Sequence, residues 1–504
     1  MSASNQHRLP GVSLAAALAG LFLAGCAMGP DFKPPTAPAG SGYSPQPLET
    51  TVGTTNVAGG DAQSFIQGRD IAGDWWTLFH SAELNRLIEQ SLTNNPDLKA
   101  AQAALLAAHE NLLAQRGVYF PSATAGFAAS RAKQSDILAP TPNYPVVPQE
   151  FQYSLFTPQV SVSYSPDMFG ANRRSMESLK AQEQGVRFQM IATYTTLTAN
   201  VVVTAIQAAA VQAQLDATRQ LVDLNSNMVE ILRYQYQKGY AGRLDVVAQE
   251  SQLAQVTATL PPLIKQSAQL RDLLAVLAGK FPNQAPAEKF ELASLKLPEE
   301  VPLSLPSQLV AQRPDVLQAE ANLHAASAQI GIAIANRLPN ITLTADAGST
   351  ALAIDKVFTS GTGFWALGAT ATAPIFEGGQ LLHAERAAKA AYMQSAEQYR
   401  STVLTAFQNV ADTLAALQQD AEGLKAAANA ADDARETLDL SQRQWRDGYI
   451  SNLALLSAEQ AYQQARINLV QAQANRFADT AALFQALGGG WWHRTDLTKD
   501  KNEK

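Results

Sequence analysis

Apolar and polar residues alternate with a period of two in four stretches of the chain. Ala123, Ala125, Phe127 and Ala129 share one face, opposite Ser122, Thr124, Gly126 and Ser130. Phe156, Val160, Val162 and Tyr164 stand opposite Gln159, Ser161, Ser163 and Ser165. Ile341, Leu343, Ala345 and Ala347 oppose Asn340, Thr342, Thr344 and Asp346, and Trp365, Leu367, Ala369, Ala371 and Ile375 oppose Gly368, Thr370 and Thr372. The alternation predicts four strands, each with one oily and one wet face. A soluble antiparallel sheet and a membrane sheet would both carry this pattern.

Around the strands the pattern becomes helical. Asn172 to Lys238 has no proline and a single glycine, Gly185; Gln380 to Asp447 has no proline and only Gly423. Each stretch is roughly 67 residues, which at about 1.5 Å per residue predicts a rod about 100 Å long. Ordinary globular helices run only about 8–20 residues. Both stretches are rich in Ala, Gln, Leu and Ser. Small side chains let neighbouring helices approach closely, and the interspersed Gln, Asn and Asp keep one face wet. Two shorter helices are predicted at Ser81–Gly117 and Leu244–Gly279. The first is interrupted at Asn94-Asn95-Pro96, because proline disfavours a helical predecessor.

These elements are written twice. Asn95-Pro-Asp-Leu-Lys-Ala-Ala and Arg313-Pro-Asp-Val-Leu-Gln-Ala each open a helical pattern, and the patterns close at Phe120-Pro121 and Leu338-Pro339. Both pairs share one offset of about 218 residues, and "YQKGYAGRLDVV" from Tyr236 matches "WRDGYISNLALL" from Trp445 at about 209. Each copy reads helix, strand, strand, long helix, tight turn, helix. The expected organisation is a signal peptide at 1–25, a lipid anchor and extended linker at 26–73, repeats at 74–290 and 291–487, and a tail at 488–504.

The 504 residues contain one cysteine, Cys26, and carry a net charge of −7. His7 and Arg8 precede an apolar run from Val12 to Ala24 that ends Leu23-Ala24-Gly25-Cys26. That run fits a secretory signal and is too short for a membrane span of about 20 residues. The ending is similar to a bacterial lipobox, so Cys26 is the candidate lipidation site. Ala27, rather than aspartate, follows it, which points to the outer membrane. The acidic balance leaves no basic footprint for nucleic acid. No G-x-S-x-G elbow, P-loop or H-E-x-x-H occurs, and the six histidines lack metal-ligand spacing. An enzyme, a metal and a cofactor are therefore not expected. His109 and His383 read as ordinary helix residues, and Trp75-Trp76 as a pin at the start of the first repeat.

Four strands cannot close a membrane barrel, since the smallest has about eight. An open edge in lipid leaves backbone groups unpaired at several kcal/mol each. If the strands lie in a membrane, several chains must pool them.

The chain resembles outer-membrane efflux proteins of the TolC type, in the lipoprotein branch that includes OprM and NodT-like proteins. The resemblance rests on "CAMGPDFKPP", "DWWTLFHSAELNRLIEQSLTNNPDL", the strand openings "YFPSATAGF" and "RLPNITLTA", and "LPPLIKQSAQLRDLLAVLAGKFP". It implies a mixed α and β fold: a homotrimeric twelve-stranded outer-membrane β-barrel, four strands per chain, continued by a periplasmic α-helical barrel. The implied function is the passive exit duct of a tripartite efflux system, with a periplasmic adaptor and an inner-membrane transporter of RND type as partners. The loops Lys133–Glu150 and Ile354–Gly363 would face the exterior. A type I protein-secretion duct and a lipid-anchored coiled-coil spacer without a pore are the alternatives.

The two turns after the long helices are the candidate sites. Gly239 and Gly448 suit the left-handed residue that ends a helix, and Asp245, or Ser451 and Asn452, could cap the next one. The resemblance implies an adaptor-contacting tip through Gly239, Tyr240, Arg243, Leu244 and Asp245, and through Gly448, Tyr449 and Leu453. It also makes Asp432, Asp433 and Asp439 candidates for an acidic ring at a closed aperture. A solvated helix face is the alternative for these three, and good turn chemistry alone is the alternative for the tips.

Overall fold

The computed structural model describes residues 27–37, 42–44, 47–134, 151–285 and 290–498. Cys26, the signal segment, most of the Lys133–Glu150 loop and the charged C-terminal end lie outside them.

The first half of the chain runs β1 (Ser64–Gln67), α1 (Ala82–Asn94), α2 (Pro96–Arg116), β2 (Ser122–Gln134), β3 (Phe151–Tyr164), α3 (Ala171–Gln237), α4 (Arg243–Ala258) and α5 (Leu260–Leu277). The second runs β4 (Glu300–Leu303), α6 (Pro306–Gln312), α7 (Pro314–Ala335), β5 (Asn340–Ser349), β6 (Gly363–Thr372), α8 (Gln380–Arg446), α9 (Asn452–Ala486) and α10 (Thr495–Thr498). Both long helices are 67 residues. The predicted break between α1 and α2 is a cap: Asn95 Oδ1 accepts from the backbone N–H of Asp97 (2.9 Å) and Leu98 (3.1 Å).

The chain forms two compact units. One gathers Ala107–Gln184 and Ala321–Glu397 with the segment ending at Pro34; the other gathers Pro35–Leu106, Gly185–Glu320 and Gln398–Lys504. Each repeat contributes to both.

The first unit holds the antiparallel four-stranded sheet, ordered β2-β3-β5-β6. Its register sets Ala125 opposite Val160, Val160 opposite Ala347 and Ala347 opposite Trp365. The oily face is thus continuous across all four strands. On the other face Thr124 meets Ser161, which meets Asp346, and Ser161 Oγ donates to Asp346 Oδ1 (2.5 Å). Beside the sheet, the start of α3 holds the residues that follow Cys26. The buried guanidinium of Arg174 donates to Met28 O (3.0 Å), Gly29 O (3.2 Å) and Asp31 Oδ1 (2.8 Å), and Met28 N donates to Phe169 O (3.1 Å). Phe32 stacks on His324 at 4.3 Å. His109 contacts Glu183 at 2.7 Å.

In the second unit the buried positions of α8 include Val403, Ala406, Val410, Leu414, Leu417, Ala421 and Leu424. Steps of three and four make this a coiled-coil seam, with alanines where helices come closest. Trp75 stacks on Phe484 (5.1 Å), and Phe79 lies against Phe477 (6.3 Å). The tryptophan expected to pin the first repeat therefore does so on the last helix of the second. Arg476, 1% exposed, donates to Leu417 O and to Thr51 Oγ1, each at 2.6 Å.

Three local features depart from the expectations. The predicted helix Leu244–Gly279 divides at Thr259, because Pro261 and Pro262 need the first turn of a new helix, where an N–H has no partner to lose. Its counterpart α9 has no proline and runs 35 residues unbroken. The linker does not stay a loose tether: β1 pairs in parallel with β4, and buried Gln63 donates to Pro298 O (3.2 Å) and Thr480 Oγ1 (3.3 Å). The tail also starts as packed chain. A Cβ at Gly490 would fall 2.3 Å from Ala72 O, so only glycine admits that approach, and Trp491 Nε1 donates to Gln312 O at 2.7 Å.

Candidate functional site

The turn after α3 closes with a Schellman pattern: Tyr240 N donates to Gln235 O (2.8 Å) and Gly239 N to Tyr236 O (3.0 Å). The turn after α8 repeats it, Tyr449 N to Gln444 O (2.8 Å) and Gly448 N to Trp445 O (3.1 Å). Gly239 at φ +80° and Gly448 at φ +79° supply the left-handed residue, as predicted. The expected caps differ in detail. Asp245 is the third residue of α4, not its cap, and its carboxylate accepts from Gly242 N (3.1 Å). Ser451 caps α9 through Ala454 N at 3.4 Å.

Asn452 does something else. Its side chain is buried, and Nδ2 donates to Asp245 O at 3.4 Å, so one turn is tied to the other. Beneath both lies one apolar cluster of Met228, Leu232, Val246, Leu438, Leu455 and Ala458. The two turns are therefore joined over a common apolar base. Their outer surface is oily: Tyr240, Leu244, Tyr449 and Leu453 are 84%, 81%, 80% and 70% exposed. Large apolar side chains held out on a buried base are the geometry of a contact surface. Arg243 is exposed beside them.

Asp432, Asp433 and Asp439 are all exposed on α8. Asp432 and Asp439 are one heptad apart and share a helix face, whereas Asp433 is turned about 100° from Asp432. Asp432 pairs with Arg435 (3.5 Å), and the carbonyl of Asp439 accepts from Arg443 Nε (3.3 Å).

The sheet presents the second set of exposed apolar residues. Trp365, Leu367 and Phe127 are 76%, 75% and 59% exposed on its oily face. Among the described residues β2 pairs with β3 alone and β6 with β5 alone, so both outer edges are open.

One group went unnoticed in the sequence. Glu459 on α9 and Gln249 on α4 are buried in the seam under the turns. The available signal was a glutamate at helical spacing among Leu455, Ala458, Tyr462 and Ala465.

Comparison with known proteins adds a family profile described as outer membrane efflux protein, which matches residues 87–280 and 305–489. A probable efflux pump outer membrane protein, TtgC of Pseudomonas putida, is 30% identical over 487 residues, 96% of each chain. The pyoverdine export outer membrane protein OpmQ of the same species is 29% identical over 88% of this chain and 94% of its own. The Campylobacter jejuni CmeC outer membrane channel superposes with a TM-score of 0.81 at 20% identity, covering 94% of this chain and 97% of that one. The outer membrane protein VceC of Vibrio cholerae gives 0.72 at 25% identity, over 84% and 100%.

Proposed function

This chain belongs to the outer membrane efflux protein family, and on that premise we propose that it is the outer-membrane exit duct of a tripartite efflux system. It resides in the outer membrane. Three copies join edge to edge, β6 of one to β2 of the next, and close a twelve-stranded barrel whose oily face meets lipid. The long helices α3 and α8 continue the bore into the periplasm. Lipidation at Cys26 adds an anchor. The chain is passive, so direction comes from an inner-membrane transporter of RND type, reached through a periplasmic adaptor that grips the exposed turn residues. Asp432 and Asp439, on one face of α8, would become two acidic rings in a trimer and draw cations to a closed aperture; Asp433 fits that role less well.

The observation that carries this reading is the four-stranded sheet with one continuous apolar face and two open edges. In lipid such edges are tolerable only when paired. Purified protein is expected to run as a trimer in mild detergent and to give discrete single-channel steps in planar bilayers. A monomer without conductance would leave the coiled-coil spacer. The relatives' names concern small molecules such as pyoverdine and toluene, which favours small-molecule cargo over secreted protein.

The tip carries its own prediction. Gly239→Pro imposes φ near −65° where the turn requires +80°. Trimers should still reach the outer membrane, while cells expressing only this variant lose resistance to exported compounds. Wild-type resistance would count against adaptor contact at this turn.

A further inference from the structure

Glu459 is 1% exposed, and neither carboxyl oxygen has a hydrogen-bond partner. Its polar neighbour is Gln249, itself fully buried. The orientation of Gln249 is set from α3. Asn225 Nδ2 donates to Leu221 O (2.8 Å), so Asn225 Oδ1 accepts from Gln249 Nε2 (2.8 Å). Gln249 Oε1 is left as a buried acceptor without a donor. A buried acceptor left unpaired is destabilising, and a carboxylate cannot relieve it. A neutral carboxylic acid can.

The duplication shows what this site lacks. Aligned on the turn glycines, Glu459 is the counterpart of Glu250, and Gln442 that of Arg233. Glu250 accepts from Arg233 at 2.8 and 3.0 Å. The second copy keeps the acid, buries it, and has glutamine in place of the cation. The other charges on the surrounding helices are turned outward: Glu230 on α3, and Arg435, Glu436 and Asp439 on α8, are exposed. Asp245 on α4 is engaged by Gly242 N, and Arg466 further along α9 lies over the Tyr462 ring. Burial raises the Glu459 carboxyl to about 7; a Gln249 N–H turned toward it would pull it down, and Asn225 Oδ1 draws Gln249 Nε2 the other way.

We propose that Glu459 is a proton-binding site, held as the neutral acid with its hydroxyl donating to Gln249 Oε1, and that release of this proton loosens the seam beneath the two tip turns. The site stands on the packing of α3, α4 and α9; only its consequence for the pore rests on the duct reading. A carboxyl whose folded value is raised above its unfolded one stabilises the fold at low pH, and this contribution is lost as pH rises through about 7.

Infrared difference spectra of the intact trimer between about pH 6 and 8.5 test the site, together with hydrogen exchange of α4 and α9. Wild type should show a protonated-carboxyl stretch at the lower pH that vanishes at the higher. Glu459→Gln should lack it, and protection next to the turns should fall about tenfold less in this variant than in wild type once the intrinsic pH effect on exchange is removed. No such band in wild type at low pH, or the same pH-dependent loss of protection in Glu459→Gln, overturns the proposal. If that variant does not assemble, Gln249→Leu should shift the disappearance of the band to lower pH, because the neutral acid loses its acceptor, and an unmoved band overturns the proposal equally. Trimers that conduct but lack the Glu459 signal would refute this site and leave the duct intact.

Discussion

Arg476→Ala should destabilise the second unit by about 3–5 kcal/mol, the range for breaking a buried charge network by removing one partner. The guanidinium is almost wholly buried and joins three segments: its own helix α9, the Leu417 carbonyl on α8 and the Thr51 hydroxyl on the linker. Alanine takes one donor from each acceptor, although Thr51 Oγ1 keeps Gln63 N (3.0 Å), and it opens a cavity. It also removes the cation that restrains Asp420, whose carboxyl already stands at about 7 through burial first and the neighbouring Asp479 second. Since that value lies above the unfolded one, Asp420 stabilises the fold at low pH and loses this contribution as pH rises through about 7. The variant should therefore weaken most in alkaline buffer, and Arg476→Met with Asp420→Asn should recover much of the loss. Thermal unfolding of detergent-solubilised protein at two pH values measures both effects. A wild-type midpoint for Arg476→Ala would show that the buried cation carries none of this.

Leu367→Arg should keep the protein out of the outer membrane, whereas Thr370→Arg should not. Leu367 belongs to the apolar face, opposite Ala345, and Thr370 to the polar face, opposite Thr342. Arginine on the lipid side of a barrel costs about 2–4 kcal/mol near the midplane, and a trimer carries it three times. On the lumen side the same residue only narrows the bore and adds charge, so Thr370→Arg trimers should insert and conduct less. Fractionation of membranes with single-channel recording separates the two. Equal insertion of both variants would mean that the faces are assigned the wrong way round.

Periodicity made most of this fold legible. Alternation marked which residues of all four long strands share a face, since a one-residue slip would turn every side chain over. The absence of proline over two long stretches placed α3 and α8 to within a residue of their ends. The turn glycines were equally plain, because their backbone needs leave few choices. What escaped depended on distant partners. Nothing in Ser64–Gln67 announces Glu300–Leu303 as its neighbour, and a four-residue strand is too short for a pattern. The prolines after Thr259 were visible, and their place in the first turn of a new helix accounts for the division. Glu459 was harder to see: its spacing among Leu455, Ala458 and Tyr462 put it on the apolar side of the helix, but that it is buried there is a property of the assembled helices. The exposed turns could be located, yet the bond from Asn452 to Asp245 that locks them together joins residues of different repeats.

The grip of Arg174 on Met28 and Gly29 sets the length of a leash. With lipid on Cys26, no more than two residues separate the greasy end from a fixed point on the body, at most about 7 Å of extended chain. On the reading proposed above, so short a tether would not let the protein bob; it would work as a depth gauge, holding the sheet at one height in the leaflet.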